Sequence, residues 1–190
     1  MEPFVALLRG VNVGRGNRVP MAELRALLQR RGYSHVSTLL NSGNAVFCAP
    51  AKAAARAEAT IAQALADELG VSVPVIVKSS HEWTAAIAAN PGPAVDDPSR
   101  LLVAFASTPG ELENLAGLAS LLLPSESFHL ASGAAYLHCA DGVLESKAAA
   151  ALLGKLGRGV TTRNWSSVLK IAAVMAGMPD DSSSGKPLHG

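Results

Sequence analysis

Apolar runs and polar breaks divide the chain into two stretches of similar rhythm. Residues 4–8 (FVALL) are apolar at every position and predict a strand. Residues 20–31 then space Met21, Leu24, Leu27 and Leu28 at helical intervals among arginines, which predicts an amphipathic helix. Pro20 suits its first position, and Val19 makes a poor cap. Two further segments, 36–40 and 45–48, flank the turn formers Asn41-Ser42-Gly43-Asn44 and read as a β-hairpin. An alanine-rich helix over 51–69, closed by Gly70, and a strand over 73–77 complete the order β-α-β-β-α-β.

The rhythm then returns. Residues 101–106 read as a strand, 110–122 as a helix, 127–131 and 135–139 as a hairpin around Ser132-Gly133, and 144–156 as a helix. The hairpins echo each other as LNSGNAVFCA and LASGAAYLHCA. Where a fourth strand is due stand residues 160–163, followed by a helix over 165–176. The expected fold class is therefore α+β, with two tandem ferredoxin-like (βαββαβ-type) subdomains, the second ending in a helix in place of or after its last strand. Composition draws the boundaries at 1–90 and 100–178. Between them PGPAVDDPS supplies a linker at 91–99, and the tail 179–190 has the make-up of disordered chain.

FVALL and LLVAFA lack the alternation of a half-exposed strand, so both sheets should be covered on both sides. Cover from the same chain is the preferred arrangement and a homodimer the competing one. Strand directions add a second expectation. With the first strand running up, the loop 10–19 and the turn 41–44 fall at one end, and GRGVTTRNW (157–165) takes the corresponding end of the second unit.

Charge changes the picture locally. The net charge is only +1, which argues against a general polyanion binder. Yet residues 9–31 hold Arg9, Arg15, Arg18, Arg25, Arg30 and Arg31 against Glu23 alone, and residues 147–170 hold Lys147, Lys155, Arg158, Arg163 and Lys170 with no acid. Glycines that let N–H groups approach a ligand, a helix start with unpaired donors, and Arg15 and Arg18 beside them make the first loop an anion-binding candidate. Gly10, Gly14 and Gly16 match neither the P-loop nor the dinucleotide spacing, so both cofactor boxes are excluded. In TTRNW, Thr161, Thr162 and Asn164 suit helix capping, while Arg163 and Trp165 would suit a ligand rim.

Other chemistry is sparse. The histidines show no ligand spacing, and His138 and Cys139 should face opposite sides of a strand. Cys48 and Cys139 are too far apart for a disulfide scaffold and suit reduced core thiols. With aromatics at 4%, a base-stacking sheet is not expected. No signal peptide or membrane span is visible, so the expected protein is soluble and cytoplasmic.

LLRGVNVG, VPMAEL, NSGNAVF and TTRNWSSVLK, in that order, closely resemble an uncharacterised, mainly bacterial family catalogued as domain of unknown function 1697. The resemblance runs from Val5 to about Ala173. It implies an α+β protein of two ferredoxin-like subdomains and no established reaction, cofactor or catalytic residue. Relatives often carry lysine where this chain has Arg15 and Arg18, and glutamine where it has Asn41.

Three functions compete. The leading expectation is a binding module holding an anionic small molecule, such as a nucleotide or phosphorylated metabolite. Its site would comprise Arg9, Asn12, Gly14, Arg18, Ser42 and Asn44, with Thr162, Arg163 and Asn164 as a further wall. The second is an enzyme acting on such a ligand through arginine and asparagine, for which no general base can be named. The third is a nucleic-acid or protein interaction module using the basic end. No cofactor, metal or membrane is expected, and monomer and homodimer both fit.

Overall fold

The computed structural model describes residues 1–14, 16–92 and 96–180. In chain order the first elements are β1 (Glu2–Leu8), α1 (Met21–Arg30), β2 (Ser34–Leu39), β3 (Asn44–Ala49), α2 (Ala51–Ala54), α3 (Ala57–Leu69), β4 (Val75–Ser79) and α4 (Ser80–Ala88). There follow β5 (Leu101–Ala106), α5 (Pro109–Glu113), a 3-10 helix (Asn114–Leu121), β6 (Ser127–Leu130), β7 (Ala135–His138), α6 (Lys147–Leu153), β8 (Val160–Asn164) and α7 (Trp165–Ala176). The strands form two four-stranded antiparallel sheets with the same internal order, β2-β3-β1-β4 and β6-β7-β5-β8. This is an α+β fold in which the expected succession of strands and helices occurs twice.

The chain divides into two compact units, one of Met1–Ser80 with everything from Ile171 onward, the other of His81–Lys170. Residues 81–90, which composition groups with the first half, belong to the second unit in this division. Pro93, Ala94 and Val95 of the expected linker, and 181–190 of the expected disordered tail, lie outside the described residues.

In the first unit one side of the sheet packs on the helices. Phe4, Ala6 and Leu8 of β1 and Phe47 of β3 meet Leu24, Leu27 and Leu28 of α1 and Ile61, Ala64 and Leu65 of α3. The alternate residues Val5, Leu7, Val46 and Cys48 face the other side. They too are fully buried within the single chain, as the uniformly apolar run on β1 predicts. The Cys48 thiol donates to the Pro179 carbonyl (3.6 Å), which places the segment after α7 on that side.

Two local expectations are corrected here. Pro20 is the cap of α1 rather than its first residue, because its ψ of 129° is extended and its carbonyl accepts the first helical bond from Leu24 N–H (3.0 Å). The single helix expected over 51–69 breaks at Arg56 (φ −116°, ψ 0°). The break turns Ala57, Ile61 and Ala64 into the core, whereas α2 buries nothing. On β4, an edge strand, the Val77 N–H turns away from β1 and donates to Glu58 Oε1 of α3 (2.8 Å).

The second unit buries Leu102, Ala104 and Ala106 of β5 against Leu112, Leu115 and Leu118 and against Ala148, Ala149 and Leu152. Those three leucines recur every three residues. That is the period of a 3-10 helix, and only α5 at the start of the expected 110–122 helix is α-helical. The helix expected over 144–156 contracts to α6, capped by Ser146, whose Oγ accepts from Ala149 N–H (3.0 Å). Residues 160–164 form the fourth strand, so α7 comes after it rather than replacing it.

The side of this sheet away from α5 and α6 is covered by α4, an element the apolar pattern does not announce. Trp83 stacks on Phe105 (ring centroids 4.4 Å, interplanar 16°) and donates from Nε1 to the Val168 carbonyl (3.2 Å). The Tyr136 hydroxyl donates to the Ala86 carbonyl.

Candidate functional site

At the end of the first sheet, the loop after β1 and the β2–β3 turn meet as strand directions predict. Leu8 N–H donates to the Gly43 carbonyl (2.8 Å) and Arg9 N–H to the Pro74 carbonyl (3.0 Å). Asn12 joins the two segments. Its Oδ1 accepts from Val19 N–H (2.9 Å), and its Nδ2 donates to the carbonyls of Val19 (2.9 Å) and Asn41 (2.8 Å). Asn12 N–H also bonds the Asn17 carbonyl (3.1 Å). Gly10, Asn12, Gly14 and Asn17 all have φ between 48° and 65°, a region that glycine and asparagine tolerate best.

The Asn12 amide is therefore fully used in shaping the loop. Asn12→Gly keeps a residue at ease with φ +56° and so isolates the three side-chain bonds. It is expected to lower stability by about 2 kcal/mol, read from the urea midpoint at unchanged m. Asn12→Asp should lower it further, because a carboxylate would face the Val19 and Asn41 carbonyls; equal losses in the two variants would refute the assigned contacts.

The other candidates of the first unit divide into frame and rim. Asn44 is fully buried and donates to the Leu39 carbonyl and to Ser42 Oγ (3.0 Å each), so it fixes the turn. Ser42 and Gly14 are exposed, and Arg9 is half-buried at the start of the loop. Arg18 is exposed, and its guanidinium makes no ion pair among the described residues. Arg15 lies outside them. Next to Arg18, α1 begins without a side-chain cap, so no side chain accepts from the N–H groups of Met21, Ala22 and Glu23.

Thr162, Arg163 and Asn164 are strand residues opposite Ala104, Val103 and Leu102. Arg163 is 7% exposed, and its Nη1 donates to Thr161 Oγ1 (2.9 Å) and the Thr162 carbonyl (2.7 Å). Burial pushes its pKa down to about 10, which leaves it a cation at neutral pH. Asn164 Oδ1 accepts from Ser167 N–H (2.9 Å) and caps α7. These residues belong to the second unit and serve its strand and helix.

A cavity of about 90 Å³ in the second unit has no counterpart in the sequence-based expectations. Ser127 and His129 of β6 and Tyr136 and His138 of β7 line it, with Leu101 and the segment after α4. Ser127 opposes His138, and His129 opposes Tyr136, so all four share one side of the sheet. Nine positions separate the two histidines, a spacing with no helical or ligand meaning. Pairing the hairpin around Ser132-Gly133 would have revealed their proximity. Cys139 turns the opposite way into the core, where burial raises its thiol pKa. Among the described residues no group of three or more histidine, cysteine, aspartate or glutamate side chains could hold a metal ion.

Fold and site geometry define an α+β protein of two like-ordered antiparallel sheets with polar loops gathered at a sheet end. The chain belongs to the family described as "Protein of unknown function (DUF1697)", whose profile matches residues 1–136. LLRGVNVG, VPMAEL and NSGNAVF lie within that match, and TTRNWSSVLK lies beyond it. The chain is similar to the solved structure of the conserved bacterial protein SP0830 from Streptococcus pneumoniae. Identity is 24%, 92% of this chain and 98% of that chain are covered, and the TM-score is 0.75. At that identity the likeness shows the fold. No curated protein matches. No helix among the described residues is long and apolar enough to cross a membrane.

Proposed function

We propose that the protein binds an anionic, phosphate-bearing small molecule at the loop end of the first unit. The observation that carries this reading is the uncapped start of α1 beside the exposed Arg18, on a loop that Asn12 holds in shape. Unpaired N–H groups and the helix dipole favour negative charge at that point, and a guanidinium can grip two oxygens at once. Because Asn12 has already ordered the loop, less entropy is lost on binding. Arg9, Gly14 and Ser42 complete the rim, while Asn12 and Asn44 form its frame. Thr162, Arg163 and Asn164 are left out of the site. The two buried free thiols fit a reducing, cytoplasmic setting.

Calorimetric titration with inorganic phosphate, pyrophosphate, nucleoside mono- and triphosphates and sugar phosphates tests the proposal. At least one should bind, and Arg18→Ala should weaken it by about tenfold or more. Affinity should fall only gently with salt, whereas a polyanion held by many phosphates would be lost steeply. Silence across the whole panel would overturn the reading.

A further inference from the structure

We propose that the cavity beside β6 and β7 is a second, separate site, for a small oxyanion of sulfate or phosphate size, gripped by His129 and His138 together with Ser127 and Asn90. The donors converge from three segments. Ser127 and His129 lie on β6, His138 lies on β7 directly opposite Ser127, and Asn90 lies just beyond α4. The Asn90 Oδ1 accepts from Gly92 N–H (3.2 Å), which orients the amide and leaves its Nδ2 as the outward donor. Among the described residues the Ser127 hydroxyl, the Asn90 Nδ2 and both imidazoles make no hydrogen bond to protein. Four side chains with donors to spare thus surround one space.

The lining is also one-sided in charge. It contains no carboxylate. Glu126, the acid adjoining β6, accepts from Leu123 N–H (2.8 Å), and Asp97, on the segment leading to β5, is held by Ser99 and Arg100. Arg100 itself bonds the Ala140 carbonyl. Tyr136 stays neutral, since burial pushes its phenol up to about 12 and its hydroxyl already serves the Ala86 carbonyl. Across the same side of the sheet, one row runs from His129 through Tyr136 and Val103 to the buried cation Arg163. An anion therefore meets only neutral or positive groups.

Size and ligand chemistry narrow the occupant. A cavity of about 90 Å³ suits a small tetrahedral oxyanion. A structural or catalytic metal would require a third protein ligand, and none is present among the described residues.

The test is a titration of the full chain with sulfate, following the histidine ring signals by NMR. His129 and His138 should shift saturably, while His35 and His81 stay still. His129→Gln and His138→Gln should each weaken sulfate binding by about tenfold or more, and Arg18→Ala should leave it intact, which separates this site from the one proposed on the first unit. Three results would overturn the proposal: no saturable shift, equal shifts at all five histidine rings, or tight zinc binding by the pair without any response to sulfate.

Discussion

Trp83→Ala is expected to destabilise the protein by about 4 kcal/mol, the largest effect of any single substitution considered. The indole is 1% exposed, lies flat on Phe105 and donates to the Val168 carbonyl. Truncating a buried tryptophan costs about 3–5 kcal/mol through lost transfer energy and the cavity left behind. Removing the donor adds to that range, and partial collapse of α4 onto the sheet subtracts from it. Trp83→Phe keeps a ring on Phe105 and loses the N–H bond and some volume, so about 1–2 kcal/mol is expected. The two tryptophans, Trp83 and Trp165, both belong to the second unit, so indole fluorescence reports on that unit. Urea titrations followed by far-UV circular dichroism check the ranking. A Trp83→Ala variant as stable as Trp83→Phe would show that α4 is not a packed element of the second sheet.

Gly43→Ala should follow, at about 3 kcal/mol. Two effects combine at this position. Its φ of +74° is strained for a residue with a side chain, at about 1–2 kcal/mol. An added Cβ would also lie 2.5 Å from Val11 Cγ2 and 2.7 Å from Leu8 Cβ, and the second of these is anchored directly on the central strand. Overpacking of that kind costs about 1–3 kcal/mol. Gly10 separates the two effects, because its φ is +65° but nothing stands within 4 Å of an added Cβ. Gly10→Ala should therefore show the backbone strain alone, about 1 kcal/mol. If the two alanine variants shift the urea midpoint equally, the contact between turn and loop is refuted.

These positions also show which parts of the molecule the sequence could announce. Residues 101–106 form a strand with the expected bounds, because an unbroken apolar run needs cover on both sides and Arg100 and Ser107 stop it. NSGN announced its turn through residue types that fit φ above zero. The fourth strand of the second unit was harder to read, since Thr161 and Thr162 are good caps as well as good strand residues. In the event Asn164 caps α7 and the threonines pair with β5. Ser146 carried a cap signal that would have shortened the 144–156 helix. α4 went unseen because only Trp83 and Ala86 of its nine residues are buried, too few to mark a helical stripe.

The site was legible to a different depth. Strand direction was enough to bring the loop and the turn together. It could not separate a side chain that holds the loop from one that faces a ligand, because that depends on where an amide points. Asn12 and Asn44 have the composition of a binding motif, yet their donors end on main-chain carbonyls and on Ser42 Oγ. His129 and His138 present the opposite case. Nothing in their spacing suggests a site, and only the register of the hairpin makes them neighbours.

The bond from Val77 N–H to Glu58 has a consequence for solubility. An edge strand offers its outward amides to any other extended chain, which is how sheets grow between molecules. By occupying the Val77 amide, the Glu58 carboxylate sets a negative charge where an incoming strand would have to dock. One acid on a neighbouring helix thus works as a stopper for that edge, guarding against aggregation at high concentration without altering any residue of the strand itself.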